Sequence, residues 1–106
     1  MMTKYVFAYH GGGMPASPEE GQKIMAAWNS WIGGLGKAMV DVGNPTGPAK
    51  TIARDGKVSE GGGANPITGY SVIEASDLDA AVKLAKSCPI LMSGGSVEVA
   101  ETLSIM

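Results

Sequence analysis

Positive charge, histidine and cysteine are all scarce in this sequence. Of its 106 residues only eight are lysine or arginine, against ten aspartates and glutamates, and the formal net charge is −2. Because nucleic-acid binding needs a basic stripe or patch, this balance argues against a nucleic-acid partner. No apolar run reaches the roughly 18 residues of a membrane-spanning helix, so no membrane partner is expected either.

One cysteine, Cys88, excludes an intrachain disulfide bond. A chain without disulfides suits a reducing compartment, and the first ten residues, MMTKYVFAYH, lack the pattern of a secretory signal peptide, so we predict a cytoplasmic protein. The lone histidine, His10, and Cys88 show no zinc-site spacing. A mixed site of His, Asp and Glu formed only by the fold stays open, but the sequence predicts no metal and no other cofactor.

The length suits a single domain over residues 1–106. The first strand is predicted at Lys4–His10; its odd-numbered residues are aromatic and face one way, and its even-numbered residues, ending in His10, face the other. A helix follows, with Ser17 as N-cap and Pro18 in the first turn, ending near residue 35. Its apolar stripe is made by Ile24, Trp28, Trp31 and Leu35.

The rest of the chain predicts strands, a hairpin and a second helix. Asp55-Gly56, between TIAR and KVSE, suits a two-residue type I′ turn. Ser76 or Asp77 caps the second helix, and Pro89 ends it. The predicted strands lie at 38–42, at either side of the Asp55-Gly56 turn, at 69–75 and at 96–101.

This order of elements predicts an α+β, ferredoxin-like βαββαβ fold with an inserted β-hairpin. The two helices would cover one face of an antiparallel sheet. The other face still carries apolar side chains, and in so short a chain a second subunit is the simplest cover. We therefore predict a homodimer through the open sheet face.

The stretch HGGG, beginning at His10, raises the question of an oxyanion hole. No G-x-S-x-G nucleophile motif accompanies it, and the chain is short for such a hydrolase. The phosphate loop and the dinucleotide fingerprint fail as well, because neither Gly36-Lys37 nor Gly56-Lys57 is followed by a hydroxyl residue and GLGKAM lacks the third glycine.

The candidate catalytic residues are His10 and Asp41. A histidine at the end of one strand and an aspartate in another can lie close enough for the carboxylate to orient the imidazole for acid–base chemistry. The simpler interpretation is that His10 hydrogen-bonds a backbone carbonyl and that Asp41 is solvated. Trp31 either stacks on a flat ligand or packs in the core.

The second half of the chain carries a further pattern. GYSVIEA, SDLDAAVKLAKSCP and GGSVEV, together with KYVFAYHGGG and SPEE near the start, resemble the YCII-related proteins, in particular the branch with a D-G-P-F motif. The resemblance implies a ferredoxin-like α+β domain that pairs as a dimeric α+β barrel. A His–Asp pair has been suggested as an active site in this family, with the histidine near the first helix.

The chain departs from the family pattern in two places. EGGG, starting at Glu60, stands where D-G-P-F would be, and no histidine lies near Met25–Trp28. The family pair therefore does not carry over, and His10 is a conjectured substitute. Trp31, Glu60 and Ser71 complete the candidate site as ligand-binding residues.

Two functions from different classes remain at this stage. The first is binding of a small organic molecule, with metal-free acid–base catalysis in a cleft between the sheet and the first helix, near His10, Asp41 and Trp31. The alternative is a non-catalytic assembly or accessory module that binds a partner protein or a metabolite. An open cavity at His10 would favour the first function, and a filled, dry space would favour the second.

Overall fold

A computed structural model describes residues 2–105. Two helices, α1 and α2, and six strands, β1 to β6, alternate along the chain, with short 3₁₀ turns at 36–38 and 89–93. The elements are β1 (Thr3–His10), α1 (Pro18–Leu35), β2 (Met39–Asp41), β3 (Lys50–Ile52), β4 (Val58–Glu60), β5 (Ile67–Ala75), α2 (Leu78–Ala85) and β6 (Ser96–Glu101).

The main sheet has four strands in the order β2-β5-β1-β6, and every neighbouring pair is antiparallel. Leaving out β3 and β4, which pair only with each other as a separate hairpin, this is the strand order of a ferredoxin-like fold. The predicted fold class and the inserted hairpin are therefore confirmed. None of the helices in residues 2–105 is long and apolar enough to cross a membrane.

Side-chain caps fix where the helices begin. The Ser17 hydroxyl accepts the backbone N–H of Glu20 at 3.1 Å, and the Asp77 carboxylate accepts that of Ala80 at 2.8 Å. Each cap satisfies one of the donors that the first turn of a helix leaves unpaired, which stabilises the helix by about 1 kcal/mol. Both helices begin where the sequence predicts.

The core lies between the helices and one face of the sheet. The aromatic residues Tyr5, Phe7 and Tyr9 of β1 are buried there. The Phe7 ring stacks on Trp31 with 6.2 Å between centroids, and Tyr9 meets Trp28 edge-on at 5.3 Å. The alternation predicted for β1 is therefore present, and burial of each large side chain contributes roughly 1.5–3 kcal/mol.

The opposite face of the sheet, which we call the open face, has no helix on it. It carries the even-numbered residues of β1, β5 and β6, because residues paired across strands share a face. Val6 pairs with Val72 and Ala100 at its centre, and all three remain partly or fully exposed.

The hairpin turn differs from the predicted two-residue type I′ turn. Gly56 N–H donates to Ala53 O at 2.9 Å, Ala53 N–H donates to Lys57 O at 2.8 Å, and only Gly56 among these residues has a positive φ, of 88°. This is the three-residue loop with a glycine in the left-handed conformation. A type I′ turn would also need a positive φ at Asp55, whose side chain instead accepts the backbone N–H of Lys57 at 2.9 Å.

Candidate functional site

His10 is the last residue of β1 and lies on the open face, at the rim of the sheet. The chain then turns away through Gly11 and Gly12, both with positive φ. Gly95 packs directly against this exit: a Cβ built there would lie 2.6 Å from the carbonyl oxygen of His10. Only glycine permits that approach, which holds the end of β1 against the start of β6.

Both ring nitrogens of His10 have partners. Nδ1 lies 3.1 Å from the carbonyl oxygen of Pro66, and Nε2 lies 3.1 Å from Oε1 of Glu98. The His10 side chain is only 11% exposed, whereas that of Glu98 is 66% exposed. An ion pair with one partner so exposed contributes at most about 1 kcal/mol to the stability of the fold.

The two partners of His10 differ in how they can hydrogen-bond to the ring. A carbonyl oxygen only accepts, so Nδ1 carries a hydrogen and donates to Pro66. An ionised carboxylate also only accepts, so a hydrogen bond from the ring to a charged Glu98 needs a second hydrogen, on Nε2. The other bonded state is a neutral ring that accepts from a protonated Glu98. When Nε2 and Oε1 are hydrogen-bonded to each other, one proton therefore lies between the partly buried imidazole and the exposed carboxylate.

Tyr70, Ala8 and Glu98 form a row across three neighbouring strands on the open face, next to His10. Tyr70 of β5 and Glu98 of β6 are both paired with Ala8 of β1, two residues before His10. The small side chain of Ala8 makes a low floor between the larger Tyr70 and Glu98. His10, Tyr70 and Glu98 thus bring an imidazole, a phenol and a carboxylate to one area of the open face around Ala8, which we call the basin.

Asp41 does not lie in this basin. It ends β2, which pairs with β5, so β5 separates it from β1. Its Oδ1 accepts the backbone N–H of Gly43 at 2.9 Å and so closes the turn that leaves the edge of the sheet. The expected His10–Asp41 contact is therefore replaced by His10–Glu98, because the strand order puts β6, not β2, beside β1.

Trp31 lies on the other side of the sheet from His10. It is buried against Phe7, and its indole N–H donates to the carbonyl of Leu84 at 3.2 Å. Phe7, Tyr9 and Trp28 fill the adjoining space between the sheet and α1. The predicted cleft, lined by both His10 and Trp31, is therefore wrong, since the two side chains face opposite ways.

Ser71 is buried beneath the helices in a short hydrogen-bonded chain. The Tyr9 hydroxyl donates to Ser71 Oγ at 2.8 Å, and Ser71 Oγ donates to the carbonyl of Val42 at 2.6 Å. Burial raises the pKa of the Tyr9 phenol above its ordinary value, and burial likewise raises the pKa of the neighbouring Cys88 thiol to about 11. These groups are neutral and mutually satisfied, so their arrangement holds β2 and β5 together.

Glu60 ends β4, in the hairpin. Its side chain is 83% exposed and lies 3.4 Å from Nζ of Lys50 on the facing strand. The structure thus brings together none of the five predicted residues; His10 meets Glu98 instead. The signal for Glu98 was the ferredoxin-like order itself, which places the last strand beside the first.

Two shallow grooves lie away from His10. One, of about 310 Å³, runs between α2 and β6 and is lined mainly by apolar residues such as Val82 and Val99. The other, of about 330 Å³, lies beside Glu74, Lys83 and Leu84. Both are wide open, and neither includes a predicted site residue. In the described part of the chain, no group of three or more His, Cys, Asp or Glu residues is placed to hold a metal ion.

Comparisons with known proteins bear on the fold. No protein-family model matches the sequence, and no curated protein matches it. Among solved structures, it is similar to 5-chloro-2-hydroxyhydroquinone dehydrochlorinase (TftG) from Burkholderia phenoliruptrix AC1100 in complex with 2,5-dihydroxybenzoquinone. The TM-score is 0.52 and the identity 21%, over 92% of this chain and 93% of that chain. At this identity the similarity establishes a shared α+β fold over nearly the whole length.

Proposed function

We propose that this protein binds a small organic molecule at the rim of its open face and exchanges a proton with it, without a metal. The observation that carries the proposal is the 3.1 Å contact between His10 Nε2 and Glu98 Oε1, across which the two groups can share a proton. A proton shared between two groups of the surface is available for transfer, and a positioned imidazole is the commonest group for general acid–base chemistry.

In this proposal His10 is the catalytic residue and two neighbours position it. The Pro66 carbonyl holds the hydrogen on Nδ1, so that proton exchange takes place at Nε2. When Glu98 is ionised and the ring is neutral, the pair accepts one proton from a substrate. When the ring is an imidazolium, it donates that proton back. The reaction is therefore a proton abstraction or an elimination assisted by a base.

The basin favours a flat ligand with ring oxygens. Ala8 supplies the floor, and the Tyr70 hydroxyl and the His10 imidazole stand beside it as hydrogen-bonding groups. The complex of TftG with 2,5-dihydroxybenzoquinone supports this class, because that small hydroxylated ring is bound by a protein of the same fold. Loss of HCl, which a dehydrochlorinase brings about, is an elimination that a base assists.

The proposal includes a homodimer joined by the open faces. The sheet is bare of helices on that side, and the whole molecule is only 18 Å thick along its shortest axis. A second copy would cover Val6, Val72 and Ala100, and it would stand beside His10 at the rim. The shallow basin would then become a walled site, which is how small-molecule sites usually exclude water.

Membership of the YCII-related family and a cytoplasmic location belong to the same proposal. GYSVIEA forms β5 and GGSVEV leads into β6, so the segments that carry the resemblance are the strands that flank β1 and the site. The single buried thiol, Cys88, agrees with a reducing compartment.

A titration with 2,5-dihydroxybenzoquinone tests the site directly. We expect the wild-type protein to bind this probe, with the change in its absorbance or in heat as the signal. His10→Gln should weaken binding at least tenfold, because the amide can still donate to Pro66 but cannot hold a cationic charge. Glu98→Gln should change the pH dependence of binding, since it removes the carboxylate that shares the proton.

Glu74→Gln is the matched control, because Glu74 lies on the open face but is paired with Lys4 at the far end of β1. It should bind the probe as the wild type does. Equal binding by the wild type and His10→Gln, or no binding by the wild type up to millimolar probe, would remove His10 from the proposed role.

One observation favours the alternative, a non-catalytic accessory module. The space between the sheet and α1 is filled by aromatic side chains, so it offers no room for a ligand. If neither the wild type nor any variant binds the probe, this alternative is favoured, and the open face would then serve assembly alone.

A further inference from the structure

The segment between β2 and β5 forms a long arm. We define the arm as residues 44–66, all of which are exposed. Its two sides are joined by backbone hydrogen bonds, from Ala53 N–H to Lys57 O at 2.8 Å near the tip and from Gly61 N–H to Ala49 O at 2.9 Å farther down. From 49 to 61 the arm is therefore a two-stranded ribbon, and at its base it is held to β5 by the hydrogen bond from Thr46 N–H to Thr68 O at 3.0 Å.

The arm presents apolar side chains that its own chain does not cover. Ile52 of β3 is paired with Val58 of β4, so the two share one face of the ribbon. They are 70% and 59% exposed, respectively. An isolated two-stranded hairpin is at best marginally stable in water. Packing of this apolar pair on another surface would supply the missing stabilisation.

The dimensions of the molecule show how far the arm extends. A compact chain of this length has a radius of gyration of about 13 Å. The value here is 15.2 Å, with extents of 43, 43 and 18 Å. The arm thus reaches beyond the sheet–helix body, and it leaves from the rim where Pro66 contacts His10.

Charge indicates what kind of surface the arm fits. It holds three basic residues and two acidic ones, for a net charge of +1, so the rest of the chain carries −3. At its tip, Arg54 and Lys57 have no carboxylate within 4.0 Å among residues 2–105. The open face carries two glutamates, Glu74 and Glu98, against one lysine, Lys4, which is paired with Glu74. A second copy of the same chain therefore offers a surface of complementary charge.

The area of the open face gives a second reason to expect that the arm contacts a second copy of the chain. Four strands about 4.8 Å apart, with up to nine residues at about 3.3 Å each, span roughly 500 Å². A stable interface of standard size buries about 800 Å² on each partner. The face is thus a small one for a stable dimer, and an arm laid on the partner would add to the surface that the dimer buries.

We propose that each arm docks on the second subunit of the homodimer. This inference rests on the open-face dimer of the proposed function. Ile52 and Val58 contact apolar surface of the partner, and Arg54 and Lys57 lie near its acidic open face. Two-fold symmetry makes the exchange reciprocal, so both arms are covered at once.

Sedimentation equilibrium of two arm variants tests the docking. Ile52→Ser/Val58→Ser removes the apolar contact, and Arg54→Glu/Lys57→Glu reverses the charge at the tip. We expect each double variant to raise the dimer Kd at least tenfold. The control is Met25→Ser, because Met25 is a 64% exposed apolar residue of α1, away from the open face; its Kd should equal that of the wild type.

Hydrogen exchange supplies a second measurement. The amides of Ala53 and Gly61 should exchange slowly at concentrations where the protein is dimeric and faster when it is diluted into monomers. Unchanged Kd values and exchange rates independent of concentration would overturn arm docking while leaving the sheet-face dimer intact. A wild-type mass of 10.8 kDa at about 100 µM would overturn both. Binding of 2,5-dihydroxybenzoquinone by His10→Gln is a separate measurement, so a failure of arm docking and a failure of the proposed site can be told apart.

Discussion

At the scale of single residues, the same burial that keeps Tyr9 and Cys88 neutral makes the protein sensitive to alkali. Cys88 is 1% exposed, and burial raises the pKa of its thiol from about 9 to about 11. In the unfolded chain the thiol loses its proton near pH 9. The folded state therefore binds this proton more tightly, and the associated stability is complete below about pH 9 and is lost as pH rises towards 11.

We expect the free energy of unfolding to fall by about 2 kcal/mol between pH 9 and pH 11 because of Cys88. Urea unfolding of the wild type and of Cys88→Ala, followed by circular dichroism at intervals of half a pH unit, measures this. Alanine leaves a small cavity and lowers stability at every pH, so only the slopes are compared. Parallel curves for the two proteins across this window would show that the thiol does not contribute.

At the scale of the elements, Gly43 controls how the arm leaves the sheet. Its φ is 72°, and a Cβ built there would overlap the carbonyl oxygen of Tyr70 on the facing strand. A side chain would meet both an unfavourable backbone conformation and a clash with backbone, which cannot rotate away. The turn that follows β2, closed by Asp41, needs a glycine at this position.

Gly43→Ala should therefore lower the free energy of unfolding by about 2–4 kcal/mol. Gly47→Ala is the matched control, because Gly47 lies in the same arm, has no positive φ, and has nothing within 4 Å of a built Cβ. That variant should change stability by less than about 0.5 kcal/mol. Equal thermal denaturation curves for the two alanine variants would contradict the requirement.

The elements were also the most predictable part of the molecule. Alternation and caps are local signals, and they placed β6 at Ser96–Glu101 and the start of α1 after Ser17 as the structure has them. The site was less predictable, because a contact between strands depends on their order. His10 was found as a polar residue ending an apolar strand, whereas its partner Glu98 lies 88 positions away and becomes a neighbour only through the pairing of β1 with β6.

At the scale of the whole molecule, the side of the sheet without helices is the surface on which the proposed homodimer depends. The helices cover one face, and Val72 lies near the middle of the other, opposite Val6. Apolar residues gathered at the centre of a sheet face and left in water are unusual in a monomer and common in an interface. The single-layer sheet with helices on one side leaves room for a further layer, which the second copy in the proposed homodimer would supply.

A charged residue at Val72 should therefore dissociate the dimer. We expect the wild type to sediment at twice the chain mass of 10.8 kDa and Val72→Asp to sediment as a monomer with unchanged helical circular dichroism. Leu78→Asp is the control, because Leu78 is 44% exposed at the start of α2, on the helix side, where an acidic residue suits the helix dipole.

If Val72→Asp does not fold, Val72→Thr keeps the β-branched shape and should still raise the dimer Kd about tenfold, since it replaces a methyl group by a hydroxyl in the contact. A dimer that tolerates both substitutions with unchanged Kd would have to use a different surface, and the open face would then be free to bind another molecule.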